Sequence, residues 1–185
     1  MGQGGCGPGQ VTMIIPIRIR KATFGDVEVI AEFNEQLAQE TEGLLLNKQQ
    51  LRQGVENVLA DTAKGAYWLA EVNGNVVGLV LVTTEWSDWR NGFFWWIQDV
   101  FVKKEWRGRG VFQALFEFVH QQAAEHPDVC GLRLYVEAQN ARAKRVYQWL
   151  GMEHTHYEVY EADLRKSNPR VAGSVSGQGG VSMGV

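Results

Sequence analysis

Hydrophobic and polar residues alternate near the start of the chain, and this two-residue period is typical of a half-buried strand. The alternating apolar positions are Ile15, Ile17 and Ile19. Apolar residues then recur at helical spacing, and either Thr23 or Asp26 is expected to cap the helix that begins there. A second helix is predicted over residues 47–59, where the apolar positions fall on one face.

The middle of the chain predicts a hairpin followed by a long strand. Residues 67–72 and 76–84 are rich in strand-forming side chains. The pair Asn73-Gly74 between them is a strong signal for a two-residue hairpin turn. A polar turn then leads into an apolar, aromatic run over residues 93–102. Three consecutive strands are therefore expected here.

The second half of the chain alternates between helices and strands. A helix is predicted over 111–124, a strand over 130–136, a helix over 140–150 that ends at Gly151, and a last strand over 154–160. The helix over 111–124 crosses between two strands, which can therefore be parallel. The order of elements predicts an α+β fold with a mixed sheet.

Length and composition indicate one folded domain. The chain has 185 residues, of which 45% are hydrophobic and 21% are charged, values typical of a soluble globular protein. Residues 1–13 form a Gly-rich tail, and residues 166–185 form a tail of Gly and Ser without a regular period. The domain is therefore expected to cover residues 14–165.

Composition also disfavours several classes of function. The net charge of −3 gives no basic surface for nonspecific nucleic-acid binding. No apolar run is long enough to span a bilayer and no signal peptide is found, so we expect a cytoplasmic protein without a membrane partner. Cys6, Cys130 and the four histidines give neither a disulfide framework nor a metal-ligand pattern. We therefore expect no metal.

A Gly-rich, Arg-bearing turn connects the long strand to the next helix. It reads Arg-Gly-Arg-Gly-Val-Phe over residues 107–112. The first N–H groups of a helix have no intrahelical acceptor, and the helix dipole adds positive potential at the same end. The two arginines add full positive charges. This pattern predicts a site for an anion, and a phosphate group is the expected ligand.

Two motifs resemble those of the GNAT superfamily of N-acetyltransferases, and the resemblance covers residues 14–160. The turn over 107–112 is similar to the family pattern Gln/Arg-x-x-Gly-x-Gly/Ala, although Phe112 stands where the family usually has Gly or Ala. The second motif runs from Asn140 to Tyr147 and continues to Leu-Gly-Met at 150–152. It is similar to the family pattern Asn-x-x-Ala-x-x-x-Tyr-x-x-x-Gly-Phe/Met.

The resemblance implies a fold and a cofactor. The fold is a mixed, mostly antiparallel, twisted sheet of six to seven strands, flanked by about four helices, with splayed central strands. Acetyl-CoA lies between strands 95–102 and 132–136, its pantetheine arm on the strand backbone and its pyrophosphate on the turn. The residues implied in cofactor binding are Phe101, Val102, Arg107, Gly108, Arg109, Gly110, Val111, Phe112, Asn140 and Tyr147.

The resemblance also implies a mechanism of acetyl transfer to an amine. Tyr147 is the expected general acid, because a phenol with a pKa near ~10 is protonated at neutral pH and can donate to the departing thiolate. Asp99 and Glu85 are the candidates for the general base. Strict alternation would place Asp99 on the same face as Ile97 and Phe101. Sequence alone does not say which face meets the acceptor.

The acceptor and the assembly stay open at the level of sequence. A primary amine of a small molecule or of a peptide is expected. A dense group of aromatic residues either lines the acceptor pocket or forms the surface of a homodimer. Its members are Trp86, Trp89, Phe93, Phe94, Trp95 and Trp96. The alternative functions are a noncatalytic acyl-CoA-binding sensor or interaction module and, less favoured, a nucleotide-binding protein.

Overall fold

A computed structural model describes residues 16–163 of the chain. Its strands and α-helices follow the order β1 (Arg18–Lys21), α1 (Val27–Glu42), α2 (Lys48–Ala60), β2 (Ala66–Val72), β3 (Asn75–Ser87), β4 (Gly92–Val102), α3 (Val111–Glu125), β5 (Val129–Leu134) and α4 (Ala141–Trp149). Short 3-10 turns precede α1 and α3, at Phe24–Asp26 and Lys104–Trp106. Internal contacts divide the chain after Glu137, so that β1 to β5 and α1 to α3 belong to a first unit and α4 to a second.

The strands of the described residues form one mixed sheet in the order β1-β2-β3-β4-β5. The first three pairings are antiparallel, and the pairing of β4 with β5 is parallel. Parallel neighbours need a crossover connection, which α3 provides between β4 and β5. This confirms the α+β fold with a mixed, mostly antiparallel sheet and about four helices.

The last strand predicted from the sequence, over residues 154–160, is not formed. The described sheet therefore has five strands rather than six to seven. A strand needs a neighbour that pairs with its N–H and C=O groups, and alternation along one sequence does not show whether that neighbour exists. Ile15, together with the predicted tails 1–13 and 166–185, lies outside the described residues.

Hydrophobic residues of α1 and α2 pack on one face of the sheet. The buried members of this cluster are Val27, Ile30, Phe33, Val55, Tyr67, Leu69, Leu79, Leu81 and Phe101. Helix α3 meets the sheet closely at Gly78 of β3. A Cβ atom at this position would lie 2.9 Å from the Phe101 carbonyl oxygen and 3.1 Å from Cγ1 of Val111. The missing side chain thus lets the start of α3 pack against the end of β4.

The start of α1 is fixed by ion pairs with β1. The Arg20 guanidinium donates to both carboxylate oxygens of Asp26, at 2.7 and 2.8 Å, and its Nε donates to Glu71 on β2 at 2.6 Å. The backbone N–H of Thr23 donates to Asp26 at 2.7 Å. These hydrogen bonds, led by those from Arg20, lower the pKa of Asp26 to about 2. Both predicted cap residues therefore act at this helix start.

We expect Asp26→Asn to lower the free energy of unfolding at pH 7 by about 2 kcal/mol, the value of a downward pKa shift of this size. Because the folded-state pKa of Asp26 is depressed from 3.8 to about 2, the contribution is complete above pH 4 and is lost as the pH falls towards 2. Urea denaturation of both proteins at pH 7, 4 and 2 measures the difference. Asp128→Asn, at an exposed aspartate, is the control. A difference that does not change with pH would contradict the assignment.

Candidate active site

The Gly-rich turn adopts the backbone conformation that its glycines allow. Gly108 and Gly110 have φ angles of +75° and +82°, in the left-handed region that side chains rarely adopt. A Cβ atom at either position would meet nothing within 4 Å, so the positive φ angles, and not a lack of space, favour glycine here. Helix α3 begins directly after it, and its first intrahelical hydrogen bond joins the Ala114 N–H to the Gly110 oxygen at 2.9 Å. This geometry suits an anion.

The two arginines of the turn have different surroundings. Nε of Arg107 donates to the Val102 carbonyl at 2.8 Å, and its terminal nitrogen donates to Glu40 of α1 at 2.6 Å. The hydrogen bond from Arg107 is the main reason why the pKa of Glu40 is lowered. The exposed Arg109 guanidinium lies 5.2 Å from the Trp106 ring centre and has no ion pair with the described residues. Arg107 thus ties the turn to β4 and α1, and Arg109 is the cation better placed to meet a ligand.

Phe112 is accommodated along α3. Its ring centre lies 6.2 Å from that of Phe116, one helical turn further on. Long side chains on a helix lie along its surface rather than along its axis. The bulky residue at this position therefore packs against the helix that carries it.

The parallel pairing of β4 with β5 ends before β4 does. Its register runs from Phe93 opposite Val129 to Ile97 opposite Leu134. Strand β4 then continues for five more residues to Val102, where the Gly-rich connection begins. The pairing stops where β5 itself ends, at Leu134, so the last five residues of β4 have no β5 neighbour. The splay of these two strands stays a prediction. The backbone of Phe101 and Val102 lies in the part of β4 beyond its pairing with β5, where β4 is still paired with β3.

A bulge in β4 decides which face carries Asp99. Strand β3 has only Leu81 between its paired residues Val80 and Val82, whereas β4 has both Gln98 and Asp99 at the same place. The extra residue shifts the alternation, so Ile97 pairs with Val82 and no longer shares a face with Phe101. The expectation from strict alternation was therefore wrong for Ile97. Asp99 stays on the Phe101 side, which faces α1.

Asp99 is a half-buried carboxylate without a fixed partner. Among the described residues, none forms a hydrogen bond or an ion pair with its side chain. Burial raises the pKa of Asp99 because the charged form loses hydration. A carboxylate with a raised pKa and no competing cation is suited to accept a proton from an amine.

Glu85, the other candidate base, is engaged by neighbouring side chains. Its carboxylate accepts a hydrogen bond from Arg133 at 2.9 Å and another from the indole N–H of Trp96. The Arg133 guanidinium also lies 3.6 Å from the ring centre of Phe94. These contacts hold Glu85 as the anionic partner of Arg133. Of the two candidates, Asp99 is therefore the carboxylate better placed to act as a base.

The second motif forms a capped helix in the second unit. The Asn140 side chain accepts a hydrogen bond from the Ala143 N–H at 3.0 Å and caps α4. The helix ends at Trp149, and Gly151, with a φ of +84° and a hydrogen bond from its N–H to the Gln148 carbonyl, forms the expected glycine stop just beyond it. Burial raises the pKa of Tyr147 on this helix. The phenol therefore keeps its proton at neutral pH, as a general acid requires.

The predicted aromatic group divides between the sheet and the solvent. Trp89, in the turn after β3, is 91% exposed, and Trp86 is 52% exposed with its ring 4.9 Å from that of Phe93. Trp96 stacks on Tyr135 at 4.4 Å between ring centres. The acceptor pocket and the homodimer surface both stay predictions for this group.

Two buried polar residues were not singled out by the sequence. Asn34 of α1 donates to the Tyr67 hydroxyl of β2 at 3.0 Å, inside the apolar cluster under α1. Each of them looks like an ordinary member of an amphipathic element, and only the packing of α1 on β2 brings them together. Within residues 16–163 no group of three potential metal ligands is found. No helix in that range is long and apolar enough to cross a membrane.

Comparison with protein families bears on this same region. A family model described as the acetyltransferase (GNAT) family matches residues 30–152, which include both the turn and the second motif. The chain belongs to the GNAT acetyltransferase family. Membership supports an acyltransferase, and the family resemblance read from the two motifs is confirmed. Comparison with curated proteins finds no match.

Solved structures agree with this assignment. A possible acetyltransferase from Clostridium difficile 630 is 43% identical, with a TM-score of 0.76 over 80% of this chain and 97% of that one. An aminoglycoside N-acetyltransferase, AAC(6')-Iy, solved with CoA, is 17% identical with a TM-score of 0.67 over 80% and 95%. A ribosomal-protein-alanine N-acetyltransferase from Brucella melitensis is 19% identical with a TM-score of 0.64 over 80% and 100%. The last two show a shared GNAT fold.

Proposed function

We propose that this protein transfers an acetyl group from acetyl-CoA to a primary amine of a small molecule or a peptide. The observation that carries the proposal is the Gly108–Gly110 turn that follows the end of β4, where β4 is paired with β3 but no longer with β5. An anion-binding turn beside a strand with one open edge suits a ligand that has both a pyrophosphate and an amide-bearing arm.

The residues present fit acetyl-CoA. The turn from Arg107 to Phe112 would hold the pyrophosphate through backbone N–H groups at the start of α3 and through the Arg109 guanidinium. The backbone of Phe101 and Val102, together with Asn140, would hold the pantetheine arm. When bound, acetyl-CoA supplies the acetyl group as a thioester.

In this proposal one residue of the chain accepts a proton and another donates one. Asp99 accepts the proton of the amine, which otherwise stays an unreactive ammonium at neutral pH. Tyr147 donates its phenolic proton to the departing thiolate. The raised pKa values of both groups support these roles, since a stronger carboxylate base accepts a proton more readily and the phenol stays protonated.

The acceptor is proposed only as a class. The aminoglycoside N-acetyltransferase and the ribosomal-protein-alanine N-acetyltransferase, both of the same fold, are named for amine-bearing acceptors of very different size. A small-molecule amine and a peptide amine are therefore both compatible with this scaffold.

Calorimetric titration with acetyl-CoA, desulfo-CoA and ATP tests the cofactor. Micromolar binding of acetyl-CoA, with ATP much weaker, would support the proposal. Release of the CoA thiol in the presence of a panel of amines then tests transfer. Tight binding without transfer to any amine would favour a noncatalytic acyl-CoA sensor, and the absence of CoA binding would remove both.

We expect Asp99→Asn to lower kcat/KM at pH 7 by about 30-fold. This is somewhat less than a general base usually contributes, because in the variant water can accept the amine proton in place of the carboxylate. The base must be ionised, so wild-type kcat/KM falls as the pH drops through the raised pKa of Asp99, and the variant loses this acidic limb. The matched variant Glu85→Gln should keep the limb. A larger loss of kcat/KM in Glu85→Gln than in Asp99→Asn would identify Glu85, and not Asp99, as the general base.

A further inference from the structure

The buried pair Asn34 and Tyr67 lies on the same side of the sheet as Asp99. Tyr67 of β2 pairs with Leu81 of β3, and Leu81 lies opposite the bulge that contains Asp99. The three residues thus form one row across neighbouring strands. Strands are about 4.8 Å apart, so the Cα atoms of Tyr67 and Asp99 are separated by about 10 Å, and both side chains stand on the side of the sheet that faces α1.

The hydrogen bond from Asn34 fixes the role of the Tyr67 hydroxyl. Asn34 is 7% exposed and Tyr67 is 4% exposed. Because the Asn34 amide nitrogen donates to Oη at 3.0 Å, the hydroxyl oxygen is an acceptor there and its hydrogen points elsewhere. The Asn34 amide oxygen is fully buried and has no hydrogen-bond partner in the described part of the chain. A buried amide oxygen in this state destabilises the fold, and the bond from the amide nitrogen to Tyr67 offsets that cost only in part.

Charge favours one direction for the hydroxyl hydrogen. Burial and the negative charge of Asp99 raise the pKa of Tyr67 to about 12, so that the phenol remains a donor. The cations on this side are Lys103, 5.5 Å from the Phe33 ring centre, and Arg107, 5.9 Å from that of Phe101 and paired with Glu40. Neither forms an ion pair with Asp99, so Tyr67 is the polar group of the described core that can serve it.

We propose that Asn34 and Tyr67 are positioning residues for Asp99. The Asn34 amide orients the Tyr67 hydroxyl, and the hydroxyl presents its hydrogen towards the Asp99 carboxylate through a bridging water, since no direct hydrogen bond joins the two side chains. The carboxylate is thereby oriented and favoured in its ionised form, in the part of β4 beyond its pairing with β5. The use of Asp99 as a base rests on the proposed function. The hydrogen bonds that link Asn34, Tyr67 and Asp99 do not depend on it.

The test is a pH titration of Asp99 in the cofactor-free full-length protein. The readout is the NMR signal of 13C-labelled aspartate carboxyl groups at each pH. The signal that disappears in Asp99→Asn identifies this residue. A hydrogen bond to the ionised form lowers a carboxyl pKa, so Tyr67→Phe should move the Asp99 midpoint to higher pH by about half a unit or more. Asn34→Leu should move it in the same direction by a smaller amount. Tyr135→Phe, which removes an exposed phenol, should leave it unchanged.

The double variant tests whether a shift in the Asp99 midpoint comes from the loss of these hydrogen bonds or from a general loss of packing. Asn34→Leu with Tyr67→Phe leaves no unpaired polar group, and such paired apolar replacements are nearly neutral for stability. If Asn34 acts through Tyr67, the double variant shows the same shift as Tyr67→Phe alone. An unchanged Asp99 midpoint in Tyr67→Phe would overturn the proposal. A shift with Tyr67→Phe but none with Asn34→Leu would overturn the orienting role of Asn34.

Kinetics distinguish this inference from the proposed function. In Tyr67→Phe the acidic limb of kcat/KM should move to higher pH by the amount measured for Asp99, with KM for acetyl-CoA unchanged. If the NMR midpoint shifts but Asp99→Asn retains full activity, the positioning pair stands and the base role of Asp99 fails.

Discussion

Gly110→Glu is expected to abolish acetyl-CoA binding, with Kd raised by about 100-fold or more. Two effects add at this position. The φ of +82° strains any side chain, by about 1–2 kcal/mol. A carboxylate at the helix start would also face the pyrophosphate, and like charges about 4 Å apart repel by about 4 kcal/mol near a protein surface. Calorimetric titration with acetyl-CoA measures the loss.

Two further glycine variants separate strain from charge. Gly110→Ala has the strain without the charge and should bind acetyl-CoA more weakly by less than about tenfold. Gly74→Glu puts the same carboxylate at a similar φ of +77°, in the turn between β2 and β3, and should bind as the wild type does. An unchanged affinity in Gly110→Glu would show that the pyrophosphate is held elsewhere.

Tyr147→Phe is expected to lower kcat by about 100-fold or more while Kd for acetyl-CoA changes little, because the variant loses only the proton donor. The sign of the pH dependence follows from the raised pKa. A general acid must be protonated, so wild-type kcat falls only as the pH rises through a pKa above the usual 10 for a phenol. The variant has no proton to lose and should lack this alkaline limb. Steady-state kinetics from pH 6 to 11 measure both.

The exposed Tyr157 provides the control, since Tyr157→Phe removes a phenol from the same unit of the chain. It should keep wild-type kcat and the alkaline limb. Full activity of Tyr147→Phe across the pH range would remove the acid role and leave Tyr147 as a half-buried structural residue.

The sequence by itself determined the elements and the two motifs. The Asn73-Gly74 turn, the Gly-rich turn before α3, and the Asn140 cap are local signals, because each depends on the backbone conformation or hydrogen bonding of a few adjacent residues. The parallel pairing of β4 with β5 follows from the crossover through α3. The two motifs, at Arg107–Phe112 and Asn140–Met152, are by themselves enough to show the resemblance to the GNAT family.

Only the tertiary structure decided which of the candidate carboxylates is available. Glu85 and Asp99 are equivalent in a sequence pattern, but Arg133 pairs with Glu85 across strands and no described residue pairs with Asp99. The bulge decided the face of Asp99, because one extra residue in β4 is visible only against the register of β3.

Strand pairing and burial also explain why the sequence did not predict the end of the sheet or the buried polar contact. Alternation over 154–160 suggested a strand, but a strand exists only with a partner, and the described sheet supplies none. Asn34 and Tyr67 carry no motif, and their contact joins residues 33 positions apart. Local signals fix local conformation, whereas a buried polar contact depends on which faces the fold brings together.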